Sequence, residues 1–242
     1  MNDKPLPIYI GFDHRQVVSY SVLHTSIITN TSKPVSITPL LLNTLPLTRT
    51  GLTPFTFSRF LVPWLHGPNG WALFLDSDML VLGDVSELFA LADESKALMV
   101  VKNPRRFEWA SLILFNCSHE AHQALTPEYI ENPKSPLFHF EWLKEDQIGS
   151  LPSEWNHLAG YDTPRLGAKL IHYTMGIPAF EETLRSEYSA EWQAFQRITN
   201  STMPWRDLMG QSVHATHMPD GRILPHFHPD VKAAQQPNEA AE

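Results

Sequence analysis

The 242-residue sequence contains a single cysteine, Cys117, so no disulfide framework can form within the chain. Cys117 sits in the apolar run Leu112–Cys117 and reads as a small buried hydrophobe. Long hydrophobic runs are also missing. No window approaches the roughly 18 apolar residues needed to cross a bilayer, and the N-terminal Met1-Asn-Asp-Lys-Pro-Leu-Pro carries no apolar signal region. Three Asn-X-Ser/Thr patterns, at Asn30, Asn116 and Asn200, carry little weight without such a signal. A reducing, cytoplasmic compartment is therefore expected, with peripheral membrane association left open. An excess of positive charge is lacking too. The net charge of -8 argues against a general nucleic-acid footprint. Any anionic ligand would need local neutralisation by a metal ion or a few placed Arg and Lys. There is no internal repeat and no clear linker.

What is present is 43% hydrophobic residues, an ordinary globular content, in a chain long enough for one large α/β domain. The chain is organised around Trp71-Ala-Leu-Phe-Leu-Asp76-Ser77-Asp78-Met-Leu-Val-Leu82. Two short apolar runs bounded by Gly70 and Gly83 read as buried strands, interrupted by the two aspartates. In a strand, residues i and i+2 face the same side, which would juxtapose the carboxylates. They would repel and raise each other's pKa unless a cation lay between them, and a divalent ion with oxygen preference resolves this. The alternative is a pair of aspartates that merely opens a turn.

Upstream, Pro7–Gly11 reads as a first strand and Val17 to about Thr29 as a helix. The Phe12-Asp13-His14-Arg15 turn between them lies where open α/β sheets take ligands. Asp13 reads either as a helix N-cap or as a contact to a bound base or sugar. Val35–Leu42 gives a second strand containing Pro39, followed by a Thr- and Pro-rich loop to Pro54. Arg59 is the one charge in the apolar segment Phe55–Leu65; it forms a structural ion pair or reaches a carboxylate or phosphate near the aspartates. Further expected elements are a helix over Asp84–Leu91, strands over Ala97–Val101 and Leu112–Phe115, and a short helix over Glu120–Ala124. A loop-heavy region follows over 126–167, then a strand over Lys169–Tyr173 and a helix over Glu182–Arg197. The basic stretch Lys102-Asn-Pro-Arg-Arg is a solvated loop or meets a phosphate or an anionic acceptor. Of the 12 histidines, the pairs His214/His217 and His226/His228 match no standard zinc spacing. His172, at a strand end before a Gly/Pro turn, is a candidate to complete a site begun by the aspartates, which spacing alone does not assign.

In this order the segments Ile8-Tyr-Ile-Gly-Phe-Asp13, Phe55-Thr-Phe-Ser-Arg59, Trp71–Asp78, Ser111–Cys117, Leu151-Pro-Ser-Glu-Trp-Asn156 and His172-Tyr-Thr-Met-Gly176-Ile-Pro178 resemble retaining glycosyltransferases of the type-A nucleotide-sugar fold, close to glycosyltransferase family 8. The resemblance implies a single-domain α/β fold over residues 1–228, with a mixed, mainly parallel sheet flanked by helices and a polar tail over 229–242. It implies Mn²⁺ (or Mg²⁺) held by Asp76, Asp78 and His172, binding the diphosphate of a nucleotide-sugar, usually a UDP-sugar. Phe12, Asp13 and Arg15 fall on the nucleoside-holding segment. Ser77 and Gly176 lie within the matched donor-site motifs. Arg59 matches the arginine facing the donor, and Asp146-Gln147 resembles a motif near the sugar. The metal would act as Lewis acid for the departing diphosphate, with an acceptor hydroxyl attacking from the leaving-group side and no enzymic nucleophile.

Two departures stand out. The lysine that commonly follows the late glycine is replaced by Ile177-Pro178-Ala179, and the Lys102–Ala110 segment is short. Two rival readings remain: a non-catalytic nucleotide-sugar or carbohydrate binder, and a glycoside hydrolase. A hydrolase needs carboxylates about 5–9.5 Å apart across the scissile bond, which neighbours at i and i+2 suit less well.

Overall fold

The structure, a computed structural model, describes residues 4–235. The chain divides into two compact units, 1–199 and 200–242. The division falls at 199/200, well before the 228/229 boundary expected from sequence. Pro229–Gln235 of the expected tail is helical, and 236–242 lie outside the described residues.

The first unit opens with β1 (Leu6–Gly11), α1 (Val17–Asn30) and β2 (Val35–Leu40). It continues through α2 (Val62–His66), β3 (Trp71–Leu75), β4 (Met79–Val81) and α3 (Ser86–Ala90). Then follow β5 (Leu98–Val100), β6 (Leu112–Asn116), α4 (Pro127–Glu131), β7 (Ile148–Ser150), β8 (His157–Leu158), β9 (Leu170–His172) and α5 (Ser189–Asn200). Six strands form one sheet in the order β2-β1-β3-β6-β5-β7, parallel except for β6, which runs against both neighbours. Pro39 is tolerated because β2 is an edge strand.

The sheet is buried on both faces. Tyr9, Ala72, Phe74, Ile113 and Phe115 face a cluster with Phe60 and Leu61, while Ile8, Ile10, Leu73, Leu75 and Leu114 face Leu23 and Ile27 of α1. The alternation along β1, β3 and β6 assigns each residue to its face. A second, three-stranded sheet has the order β4-β9-β8. It packs through Leu80, Ile171 and Tyr173 against Val22 of α1 and Trp192 of α5.

The expected helix over Glu182–Arg197 is interrupted: a 3-10 turn covers Glu181–Thr183, and α5 begins only at Ser189. Between them Tyr188 has φ 56°, a left-handed conformation that helices exclude, and its hydroxyl donates to the Arg165 carbonyl at 2.5 Å. Glu120–Ala124 is likewise a 3-10 segment. In the second unit α6 (Trp205–Met209) precedes an antiparallel hairpin of β10 (Ala215–His217) and β11 (Ile223–Pro225), then α7 (Pro229–Gln235). Among the described residues, no helix is long and apolar enough to cross a membrane.

Candidate functional site

Asp76 and Asp78 occupy the point where the chain leaves one sheet for the other. β3 ends at Leu75, Ser77 and Asp78 form a turn, and β4 starts the three-stranded sheet at Met79. Strand alternation is therefore not what joins the carboxylates; a turn does, and it serves the metal reading equally well. Three neighbours fix this turn. The Asp76 amide donates to the Ser111 carbonyl at 2.9 Å, continuing the β3–β6 ladder. Ser19 of α1 donates through Oγ to the Ser77 carbonyl at 2.8 Å. The Tyr173 amide donates to the Asp78 carbonyl at 2.9 Å.

His172 arrives by register, since it pairs with Met79 across β4 and β9 and so stands beside Asp78. Its Nε2 lies 3.3 Å from Asp78 Oδ1. One ligand atom from each of Asp76, Asp78 and His172 falls within 4.8 Å of the others, the one such grouping among the described residues.

Arg59 lies in a buried 3-10 turn, Ser58–Leu61. Its Nη2 is 3.0 Å from Asp76 Oδ1, and its Nη1 donates to the Ala110 carbonyl at 2.7 Å. Both readings of Arg59 converge, because the ion pair it makes is with the aspartate site itself. Even so, Asp76 Oδ1, Asp78 Oδ1 and His172 Nδ1 are buried without a well-directed hydrogen bond. Buried polar atoms are normally satisfied. Burial pushes Asp76 up to about 7, against the pull of Arg59 and His172 and with a further push from Asp78 and Glu108. Burial alone would lower His172, yet Asp78 and Asp76 hold it above its ordinary value. Two carboxylate oxygens and an imidazole left short of partners fit a divalent cation, and Asp76, Asp78 and His172 are the residues that would hold it.

The site opens into a cleft of about 280 Å³ lined by Arg59, Asp76, Asp78, Glu108, Trp109 and Thr174 among others. Phe55 forms part of its wall and also covers Gly11, where an added Cβ would stand 2.4 Å from the ring. Sequence reasoning missed Glu108 and Trp109. The signal was available in principle: β6 pairs antiparallel with β3, Leu112 opposite Leu75, so residues just before Leu112 must lie beside Asp76. Glu108 has φ 55° and ψ 25°, a left-handed conformation that costs a non-glycine residue about 1 kcal/mol or more. Its carbonyl is held by Ser111 Oγ at 2.7 Å and Asn156 Nδ2 at 3.3 Å.

The other expected site residues scatter. Asp13 caps the 3-10 turn His14–Gln16 and is gripped by Arg15, whose Nε donates to both carboxylate oxygens at 2.9 and 3.0 Å and whose Nη2 donates at 2.5 Å. Phe12 lines a separate hollow of about 700 Å³ with His14, Leu41, Leu42 and Leu47. The Ser77 side chain is buried, and Gly176, with φ 116°, borders another hollow near Met175. Asp146 and Gln147 are not brought to the aspartates. They precede β7, which runs parallel to β3, so they sit at the opposite edge of the sheet from Asp76. Asp146 is exposed there, and its carbonyl accepts from Lys96. Lys102 and Arg106 flank the Trp109 ring and pair with Glu145. Burial pushes the Cys117 thiol up to about 12. His217 and His226 are engaged by the carbonyls of Gly210 and Val213 within the second unit.

No family model matches the sequence. Protein CDI of Arabidopsis thaliana is 35% identical over 223 residues, covering 78% of this chain and 85% of that protein. The chain belongs to the Protein CDI family. Solved structures of similar shape are glycosyltransferases. GlyE of Streptococcus pneumoniae TIGR4 superposes with a TM-score of 0.61 at 16% identity over 85% of this chain and 63% of GlyE. The galactosyltransferase LgtC, solved with donor and acceptor sugar analogs, gives 0.59 at 12% identity over 84% of this chain and 99% of LgtC. The bifunctional WbbM gives 0.56 at 17% identity, this chain spanning about half (52%) of its length. At such identities the likeness establishes the fold: this member of the Protein CDI family has the α/β type-A glycosyltransferase architecture, a mixed, mostly parallel sheet flanked by helices.

Proposed function

We propose that this chain is a divalent-cation-dependent glycosyltransferase that moves a sugar from a nucleotide-sugar donor, a UDP-sugar, to a carbohydrate or other hydroxyl acceptor with retention. One observation carries the reading: Asp76, Asp78 and His172 converge, with buried oxygens short of partners, at the sheet edge where folds of this class take their ligands. The imidazole beside two carboxylates favours Mn²⁺ over Mg²⁺, which prefers oxygen alone. A cation bound there would supply Lewis-acid stabilisation to the diphosphate leaving group.

The chain's own residues do the rest. Arg59 anchors Asp76 and lines the cleft together with Thr174 and Trp109. The preference for uridine and for retention comes from the family resemblance of the motifs. A cleft of about 280 Å³ suits the sugar-phosphate part of a donor, and the hollow beside Phe12 and His14 suits the nucleoside.

A screen of UDP, GDP and their sugars by thermal shift, with and without Mn²⁺, tests this directly. A Mn²⁺-dependent rise in melting temperature with a nucleoside diphosphate is expected, and its absence across the screen contradicts the reading.

One observation favours a non-catalytic binder on the same fold. Asp146 and Gln147, which resemble the motif near the sugar in relatives, lie at the far edge of the sheet. Nucleotide release from a bound donor distinguishes the two: an enzyme releases it by transfer or slow hydrolysis, and a binder does not.

A further inference from the structure

The charged side chains that line the cleft are Arg59, Asp76, Asp78, Arg106 and Glu108, with His139 as a sixth titratable group. Arg59 pairs with Asp76, Asp78 with His172, and Arg106 with Glu145 at 2.6 Å. Glu108 stands apart: among the described residues its carboxylate has neither a hydrogen-bond nor an ion-pair partner, although the residue is half-buried. Its backbone is held in a left-handed turn by Ser111 and Asn156, which fixes where the side chain springs from. Its charge is felt at both Asp76 and His172, so it stands near the cation site without belonging to the ligand group.

We infer that Glu108 is a specificity residue of the donor subsite, accepting hydrogen bonds from hydroxyls of the transferred sugar and excluding sugars that carry a carboxylate. The inference rests on the proposed function above. A carboxylate that springs from a held backbone is a strong acceptor for hydroxyl donors. The same charge, in a partly desolvated cleft whose cations are already paired, repels a second carboxylate. A neutral hexose satisfies Glu108, and a uronic acid brings like charge beside it.

The discriminating probes differ only at C6. UDP-glucose and UDP-galactose, each set against its uronic acid counterpart, are titrated calorimetrically into the wild-type chain in Mn²⁺, with UDP alone as reference. The neutral donors are expected to bind about tenfold or more tightly than the uronic acids, and Glu108→Gln is expected to bring that ratio close to one while UDP affinity stays unchanged. A purely structural role would move UDP affinity together with the ratio. Glu108→Gly, which takes the left-handed backbone without strain, repeats the measurement should the amide variant misfold.

A wild-type ratio near one, or a ratio that survives in both variants, overturns the inference while leaving the glycosyltransferase reading in place. Failure of wild type to bind UDP in Mn²⁺ overturns that reading, and the inference with it.

Discussion

Two buried aspartates each face an arginine, and they differ in almost everything else. Asp13 accepts three side-chain hydrogen bonds from Arg15 and a backbone one from the Arg15 amide, and these hold its carboxyl below the usual carboxylate range. Asp76 has Arg59 at 3.0 Å, but its Oδ1 lacks a directed hydrogen bond and burial lifts it to about 7. The first pair is complete in itself and serves the turn it caps. The second is incomplete, and what it lacks is positive charge. A second carboxylate and a histidine beside it would be a poor way to stabilise a fold and a good way to hold a cation.

The comparison breaks first at the cation. Asp76→Asn is expected to weaken Mn²⁺-dependent binding of UDP on the order of 100-fold by calorimetry, at or above the upper end of the losses typical of outer-shell changes. Asp13→Ala should leave the Mn²⁺ dependence intact and lower stability by about 1 kcal/mol through the lost cap, read by chemical denaturation. Equal losses in the two variants would erase the distinction.

Removing the cationic partner comes next. Arg59→Met strands a buried carboxylate and should destabilise the cation-free protein by about 3 kcal/mol in denaturant unfolding, with saturating Mn²⁺ recovering part of the loss. An unchanged midpoint would mean that Asp76 does not depend on Arg59.

The pH response should differ in sign. Asp13, depressed in the folded state, contributes stability above the ordinary carboxylate range that is lost as pH falls through its folded value. Asp76, raised from 3.8 to about 7, contributes stability that is full below 3.8 and lost as pH climbs toward 7. His172, also raised, adds a loss of the same sign as pH passes its folded value. Without divalent cations the melting temperature should therefore fall between about pH 4 and about pH 7 by a few degrees, and Asp76→Asn should flatten that slope. The Mn²⁺-induced rise should grow with pH in wild type, because the cation and the proton compete for the same oxygens.

The smallest effect sharpens the account of the turn. Ser19→Ala removes the hydroxyl that donates to the Ser77 carbonyl and should cost about 1 kcal/mol with a modest loss of Mn²⁺ affinity. A loss of stability alone would show that the turn holds its shape without α1.

Much of this arrangement was legible in the chain. The short apolar runs at Pro7–Gly11, Trp71–Leu75 and Leu112–Phe115 became neighbouring strands because their residues are buried on both sheet faces, which periodicity reports well. The link from Asp76 and Asp78 to His172 was legible only as a motif, since it depends on the pairing of Met79 with His172 across 93 residues. Local pattern could not show that the chain changes sheets at Ser77, so the aspartates read as part of a strand when they form a turn. Strand direction was equally hidden. Asp146 and Gln147 looked near the donor until the parallel run of β7 placed them at the other edge. Glu108 was invisible because its role comes from the β3–β6 register and a left-handed turn, neither of which glutamate advertises.

The most direct test is a Mn²⁺ titration followed by electron paramagnetic resonance in the presence of UDP, on wild type and on Asp76→Asn, Asp78→Asn and His172→Ala. Wild type should bind one Mn²⁺ per chain, and each variant should lose most of that affinity. Binding that is absent in wild type, or equally tight in all three variants, would contradict a cation site at the junction of the two sheets.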